Sequence, residues 1–180
     1  LSKTKRSRVP LIKTLGLFKT IFHKRKYMYC VWQLSCAMGI LFGYIAASPF
    51  IVQEHYGYSA FAFSLVFAVN AIALGIGTSM PVRFKRAETC VSYSCAGMLM
   101  GSILTACALW LQAPFYVFEG LLIALLFATG MSFTATTSIA MLEARDQAGT
   151  ASALIGAAGF LLGSIVSPLV GLGNILISTG

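Results

Sequence analysis

The sequence predicts an all-α fold, a polytopic transmembrane helix bundle with about five spans, and three observations carry that prediction. The mean hydropathy is +0.83 and only 10% of residues are charged, against roughly a quarter in an ordinary soluble domain. Five apolar runs each reach the roughly 20 residues a helix needs to cross a hydrocarbon core about 30 Å thick. All 13 Lys and Arg residues lie before the first run or in every second connection between runs. Helices rather than strands follow from run length, because a barrel strand needs only about ten residues and alternates apolar with polar.

Residues 1–27 carry nine of the basic residues. Within them Leu11, Leu15, Phe18 and Phe22 recur at helical spacing among Lys13, Lys19, Lys24, Arg25 and Lys26. That pattern suits an amphipathic helix lying on an anionic lipid surface, and a disordered basic linker is the alternative. The chain starts at Leu1 rather than Met, so a start inside a longer protein is expected. The apolar runs are Met28–Val52, Ala60–Met80, Thr89–Leu111, Phe115–Met141 and Ala148–Leu172. The first greatly exceeds the apolar stretch of a signal peptide, about 7–15 residues, and is read as a helix that stays in the membrane.

The connections fix the orientation. Gln53–Ser59 and Gln112–Pro114 hold no Lys or Arg; Pro81–Glu88 holds Arg83, Lys85 and Arg86, and Leu142–Gln147 holds Arg145. The positive-inside rule therefore places the N-terminal segment and these two basic connections in the cytoplasm. Tyr27, Tyr29 and Trp32 at one end of the first span, and Trp110 and Tyr116 around the third connection, suit the headgroup level or packing between helices.

Small residues mark where helices can approach. Gly39 and Gly43 lie one turn apart in the first span, Gly97 and Gly101 in the third, and Gly159, Gly163, Ser167 and Gly171 form a stripe in the fifth. In lipid, association rests on such close packing and on interhelical hydrogen bonds.

Polar groups inside the spans are sparse, and they are the candidate functional residues. They comprise Tyr44 and Ser48 before Pro49, Asn70, Glu119, and Thr134, Thr136, Thr137 and Ser138. Buried amides, hydroxyls and carboxyls must pair across helices or line a wet cavity. Asn70 suits either an interhelical hydrogen bond or ligand contact. Glu119, about one turn inside its span, either snorkels to outer water or faces a cavity, attracting cations or titrating during transport. Pro49 frees a backbone carbonyl and can kink the first helix.

The net charge of +8 does not point to nucleic acid, because the basic residues cluster in connections rather than among exposed aromatics. Cys30, Cys36, Cys90, Cys95 and Cys107 sit in or beside apolar runs without metal-ligand spacing, and His23 and His55 are isolated. No cofactor or metal is expected, and no arrangement of residues suggests an enzyme.

The string Gly43-Tyr44-Ile45-Ala46-Ala47-Ser48-Pro49-Phe50-Ile51-Val52-Gln53, then Tyr56-Gly57-Tyr58-Ser59, Phe67-Ala68-Val69-Asn70-Ala71 and Ala148-Gly149-Thr150-Ala151-Ser152-Ala153-Leu154, resembles the second half of Bcr/CflA-type drug-resistance transporters of the major facilitator superfamily. The resemblance runs from the first span to the fifth. It implies a major facilitator-like half, with residues 1–27 as the end of the basic cytoplasmic loop between halves, 28–172 as helices seven to eleven, and 173–180 as a truncated outer tail. The twelfth helix and the N-terminal half of the same transporter would lie outside this sequence. The implied function is efflux of drugs or small metabolites by proton antiport across the bacterial inner membrane. The partners are then a small-molecule substrate, protons, the lipid bilayer and the other half, and not nucleic acid. The coupling acid is expected in that other half. Tyr44, Ser48, Asn70, Thr134 and Glu119 are the expected substrate-binding set. Uptake of a specific solute, or a non-transporting membrane scaffold subunit, are the alternatives.

Overall fold

The structure, a computed structural model, describes residues 24–170. The expected amphipathic stretch at residues 11–22 and the tail at 173–180 lie outside the described residues. Five helices are long and apolar enough to cross a membrane: α1 (Arg25–Pro49), α2 (Ala60–Ser79), α3 (Ala87–Trp110), α4 (Phe115–Glu143) and α5 (Ala148–Val170). Every regular element among the described residues is helical.

Local chemistry sets the boundaries. Pro49 has no N–H to offer the Ile45 carbonyl, and the Ser48 hydroxyl donates to that oxygen instead, at 3.5 Å. The chain then widens into a π-helical segment, Phe50–His55, with Tyr56 N–H bonding the Ile51 carbonyl at 3.1 Å. Beyond the proline the helix thus continues as widened turns that prolong the span, and π-segments of this kind recur at functional sites. Gly57, at φ +71°, adopts the left-handed conformation that lets the chain turn back. Ser59 caps α2 by accepting from the Ala62 N–H at 3.2 Å. Pro81 closes α2 through a 3₁₀ turn, Met80–Arg83, and Glu88 stands in the first turn of α3, where a negative charge is favoured.

The central helix is α4, which packs against α1, α2 and α3, while α5 packs along α1 and touches α4 only sparingly. Glycines govern three of these crossings. Along α1 and α5 the two surfaces interlock: Gly39 and Gly43 receive Leu162 and Val166, while Gly159 and Gly163 receive Met38 and Phe42. On α3, Gly97 and Gly101 admit Ala128 and Leu125 of α4. The tightest approach joins α2 to α4, where Gly77 lies on the backbone carbonyl of Phe127 and Gly130 on that of Leu74. Two backbones meet there with no side chain between them, the geometry that small residues permit in lipid.

The basic end is tied by two long-range bonds. Lys24 Nζ donates to the Glu143 carbonyl at 2.7 Å, and the Tyr27 hydroxyl donates to the Ala151 carbonyl at 2.7 Å. Tyr27 is therefore a packing residue with no exposure, unlike Tyr29 and Trp32, which are exposed. Tyr27→Phe is expected to cost about 1 kcal/mol of stability, the net worth of one buried hydrogen bond, read as a lowered unfolding temperature. At the other end the Tyr56 hydroxyl donates to the Ala113 carbonyl at 2.9 Å, and Trp110 and Tyr116 are exposed.

Exposed apolar side chains cover the outside. On α2 they form one stripe, Phe61, Leu65, Val69, Ile72 and Ile76, at the spacing of a single helical face. Such a surface requires an apolar surround, as a multi-pass membrane protein has. The five cysteines are free and behave as small apolar residues.

Candidate functional site

All five helices contribute to a cavity of about 450 Å³. On α1, Tyr44 and Ser48 are one turn apart and so share a face; both line the cavity. Small residues beneath them, Gly39, Gly43 and Ala47, leave the space open. On α2, Phe63, Val66 and Asn70 point inward, opposite the exposed stripe. On α3 the polar contributors are Ser102 and Thr105, and on α4 the walls are Phe118, Leu122 and Leu125. The lining is thus mainly apolar with a few polar groups, the usual make-up of a small-molecule site.

The polar groups converge without partners. Asn70 is 1% exposed, yet neither its amide nitrogen nor its amide oxygen makes a hydrogen bond. The same holds for the Tyr44 hydroxyl, the Thr105 hydroxyl and both carboxylate oxygens of Glu119, all buried. Asn70 lies within side-chain interaction range of both Tyr44 and Glu119, so α1, α2 and α4 each bring one member to the cluster. The Tyr44 ring is held stacked on Phe67, one turn before Asn70, with centroids 5.6 Å apart. An unsatisfied buried polar atom costs about 1–3 kcal/mol. Four such atoms on the cavity lining, from Tyr44, Asn70 and Thr105, are a strained arrangement for a structural core and a suitable one for receiving a ligand; the two Glu119 oxygens belong to a residue outside the lining.

The expected site residues divide accordingly. Tyr44, Ser48 and Asn70 line the cavity. Glu119 does not line the cavity; it lies in range of Asn70, and both its carboxylate oxygens are buried and so do not snorkel to outer water. Thr134 is exposed and does not line the cavity. On the same helix the inward hydroxyls belong to Ser132 and Thr136, both fully buried. Gln33 of α1 donates to Ser132 Oγ at 3.1 Å, and Ser132 and Thr136 lie 3.5 Å apart. This second polar set is paired and serves as a brace between α1 and α4.

Thr105, Ser102, Gln33 and Ser132 are not singled out by the sequence pattern. The available signal is an amide or hydroxyl within an otherwise apolar run, and for Ser132 its one-turn spacing from Thr136. Among the described residues no group of His, Cys, Asp and Glu is arranged to hold a metal ion.

Comparison with known proteins gives two matches. Residues 1–168 match the family model of the Major Facilitator Superfamily. A Bacillus subtilis (strain 168) protein named as the uncharacterized MFS-type transporter YdgK is 32% identical over 164 residues, which cover 89% of this chain and 40% of that relative. The chain thus spans well under two thirds of the relative's length. No solved structure matches.

Proposed function

The chain belongs to the Major Facilitator Superfamily, and from that premise we propose that it works within an exporter of drugs or small metabolites, of the Bcr/CflA type, driven by proton antiport across the bacterial inner membrane. Residues 1–27 then act as the basic cytoplasmic loop joining two halves, and 28–172 as helices of the second half. The portion of such a transporter corresponding to the remaining length of the relative supplies the other half, and the two rock about the cavity to give alternating access.

The observation that carries the proposal is the mostly apolar cavity walled by membrane-length helices, with Asn70, Tyr44 and Thr105 holding unpaired buried polar atoms on its lining. An apolar wall with few polar groups suits lipophilic solutes better than sugars, which need many fixed hydrogen-bond partners. A buried carboxylate such as Glu119 is a group for which a proton and a substrate can compete.

The test uses the complete gene in cells whose endogenous pumps have been removed. Energised cells expressing it are expected to accumulate less of a lipophilic drug or dye than control cells, and a protonophore is expected to abolish the difference. Equal accumulation overturns the export reading, and greater accumulation indicates uptake instead.

A further inference from the structure

Resting on the transporter reading of this cavity, we infer that its ligand is an uncharged, flat, mainly apolar molecule with a lactam-type edge, an N–H beside a C=O, which the Asn70 side chain reads. Asn70 lines the cavity and is 1% exposed, and both its amide nitrogen and its amide oxygen are buried without a hydrogen-bond partner. It lies in range of Tyr44 and Glu119 without bonding either. A donor and an acceptor left open side by side on one planar group match a ligand edge that carries an acceptor and a donor in turn, as asparagine matches an adenine edge in DNA. Two parallel hydrogen bonds then form, and both open atoms of Asn70 are satisfied at once.

The surroundings specify the rest of the ligand. The Tyr44 and Thr105 residues also line the cavity, and their buried hydroxyls lack partners. A carbonyl oxygen has two lone pairs, so one is left for such a hydroxyl after the Asn70 amide has donated to the other. Ser48 is engaged elsewhere, its hydroxyl donating to the Ile45 carbonyl. No Asp, Glu, Lys, Arg or His lines the cavity, and an ion brought among such walls loses its hydration without a counter-charge to offset the cost. Tyr44, Phe63 and Phe118 line it, and the Phe67 ring lies 5.6 Å from that of Tyr44 and 5.8 Å from that of Phe63, between centroids. Aromatic side chains are therefore in place to pack on a flat ring system. A volume of about 450 Å³ lies within the range of about 300–1,000 Å³ typical of small-molecule pockets.

The test is direct binding, to the purified complete transporter, of matched molecules of nearly one shape: phenanthridinone, a lactam; benzochromenone, the lactone in which oxygen replaces the N–H; and N-methylphenanthridinium, a cation. The wild type is expected to bind the lactam at least about tenfold more tightly than the lactone, because a site built for an N–H is left with unpaired buried groups when that N–H is missing. The cation is expected to bind more weakly than the lactam. Asn70→Leu is expected to abolish the preference, with lactam and lactone bound within about twofold of each other. Equal binding of lactam and lactone by the wild type, or binding of neither, overturns the inference, and that comparison decides the matter even where Asn70→Leu fails to fold. Tighter binding of the cation overturns it too, as does a folded Asn70→Leu protein that keeps the lactam preference. Cellular efflux of drugs by a protein that binds without lactam preference would sink this inference and leave the export reading standing. Lactam-selective binding that depends on Asn70, without cellular efflux, would support the inference and sink the export reading.

Discussion

Gly130→Ala is expected to lower the stability of the complete protein by about 2–3 kcal/mol, near the upper end of what overpacking costs, and to reduce the amount of folded protein in the membrane. The added methyl group would overlap the Leu74 carbonyl oxygen and come within 3.0 Å of Thr78 N and 3.2 Å of the Gly77 carbonyl carbon. These are backbone atoms, so no side chain can rotate away and the two helices must separate. Separation is costly here because α4 also carries the contacts with α1 and α3, and lipid supplies no hydrophobic drive to hold loosened helices together. Gly77→Ala should act alike, since its methyl group would overlap the Phe127 carbonyl. Gly75→Ala is the control: nothing lies within 4 Å of a methyl group there, and replacing a helix-interior glycine stabilises by roughly 0.5–1 kcal/mol. Unfolding of purified variants in detergent reads all three. Equal stability of Gly130→Ala and Gly75→Ala would mean that α2 and α4 do not touch backbone to backbone.

That contact also shows where the sequence stops being legible. The membrane character and the helices could be read because apolar length and loop charge report directly on lipid and water. Which helices pair could not. Gly77 and Gly130 each stand without a glycine one turn away, so a search for glycine pairs at four-residue spacing finds Gly39–Gly43 and Gly97–Gly101 and passes over the closest crossing. The inward face of α4 was equally hidden, because α4 is apolar around its whole circumference and periodicity then gives no phase. Thr134 and Thr136 look alike in sequence, yet one is exposed and the other fully buried. Tyr44, Ser48 and Asn70 were accessible to sequence reasoning because a polar group in an apolar span needs a reason to be there. Their convergence on one cavity required the crossing of α1, α2 and α4. At Pro49 the sequence indicated a lost hydrogen bond but not its outcome, a π-helical continuation in place of a broken helix.

The central claim is that the Tyr44–Asn70–Glu119 cluster exists for a ligand and does not hold the bundle together. Asn70→Leu separates these roles, since leucine has a similar shape and neither donor nor acceptor. A structural amide bonded between helices would, on replacement, leave its partners unpaired and cost about 1–3 kcal/mol. The Asn70 amide has no hydrogen-bond partner, so its removal relieves an existing penalty; stability gained where a functional polar group is deleted is a known trade-off. Glu119 and Tyr44 would meanwhile lose the one side chain in range of both. Transport should then fall by about tenfold or more, the effect of losing a single contact worth about 1.4 kcal/mol. The decisive measurement is therefore the unfolding temperature and the transport rate of Asn70→Leu, determined on the same preparation of the complete protein. An unfolding temperature equal to or above that of the wild type, with transport reduced at least about tenfold, is the predicted result; a lowered unfolding temperature with transport retained would contradict the account.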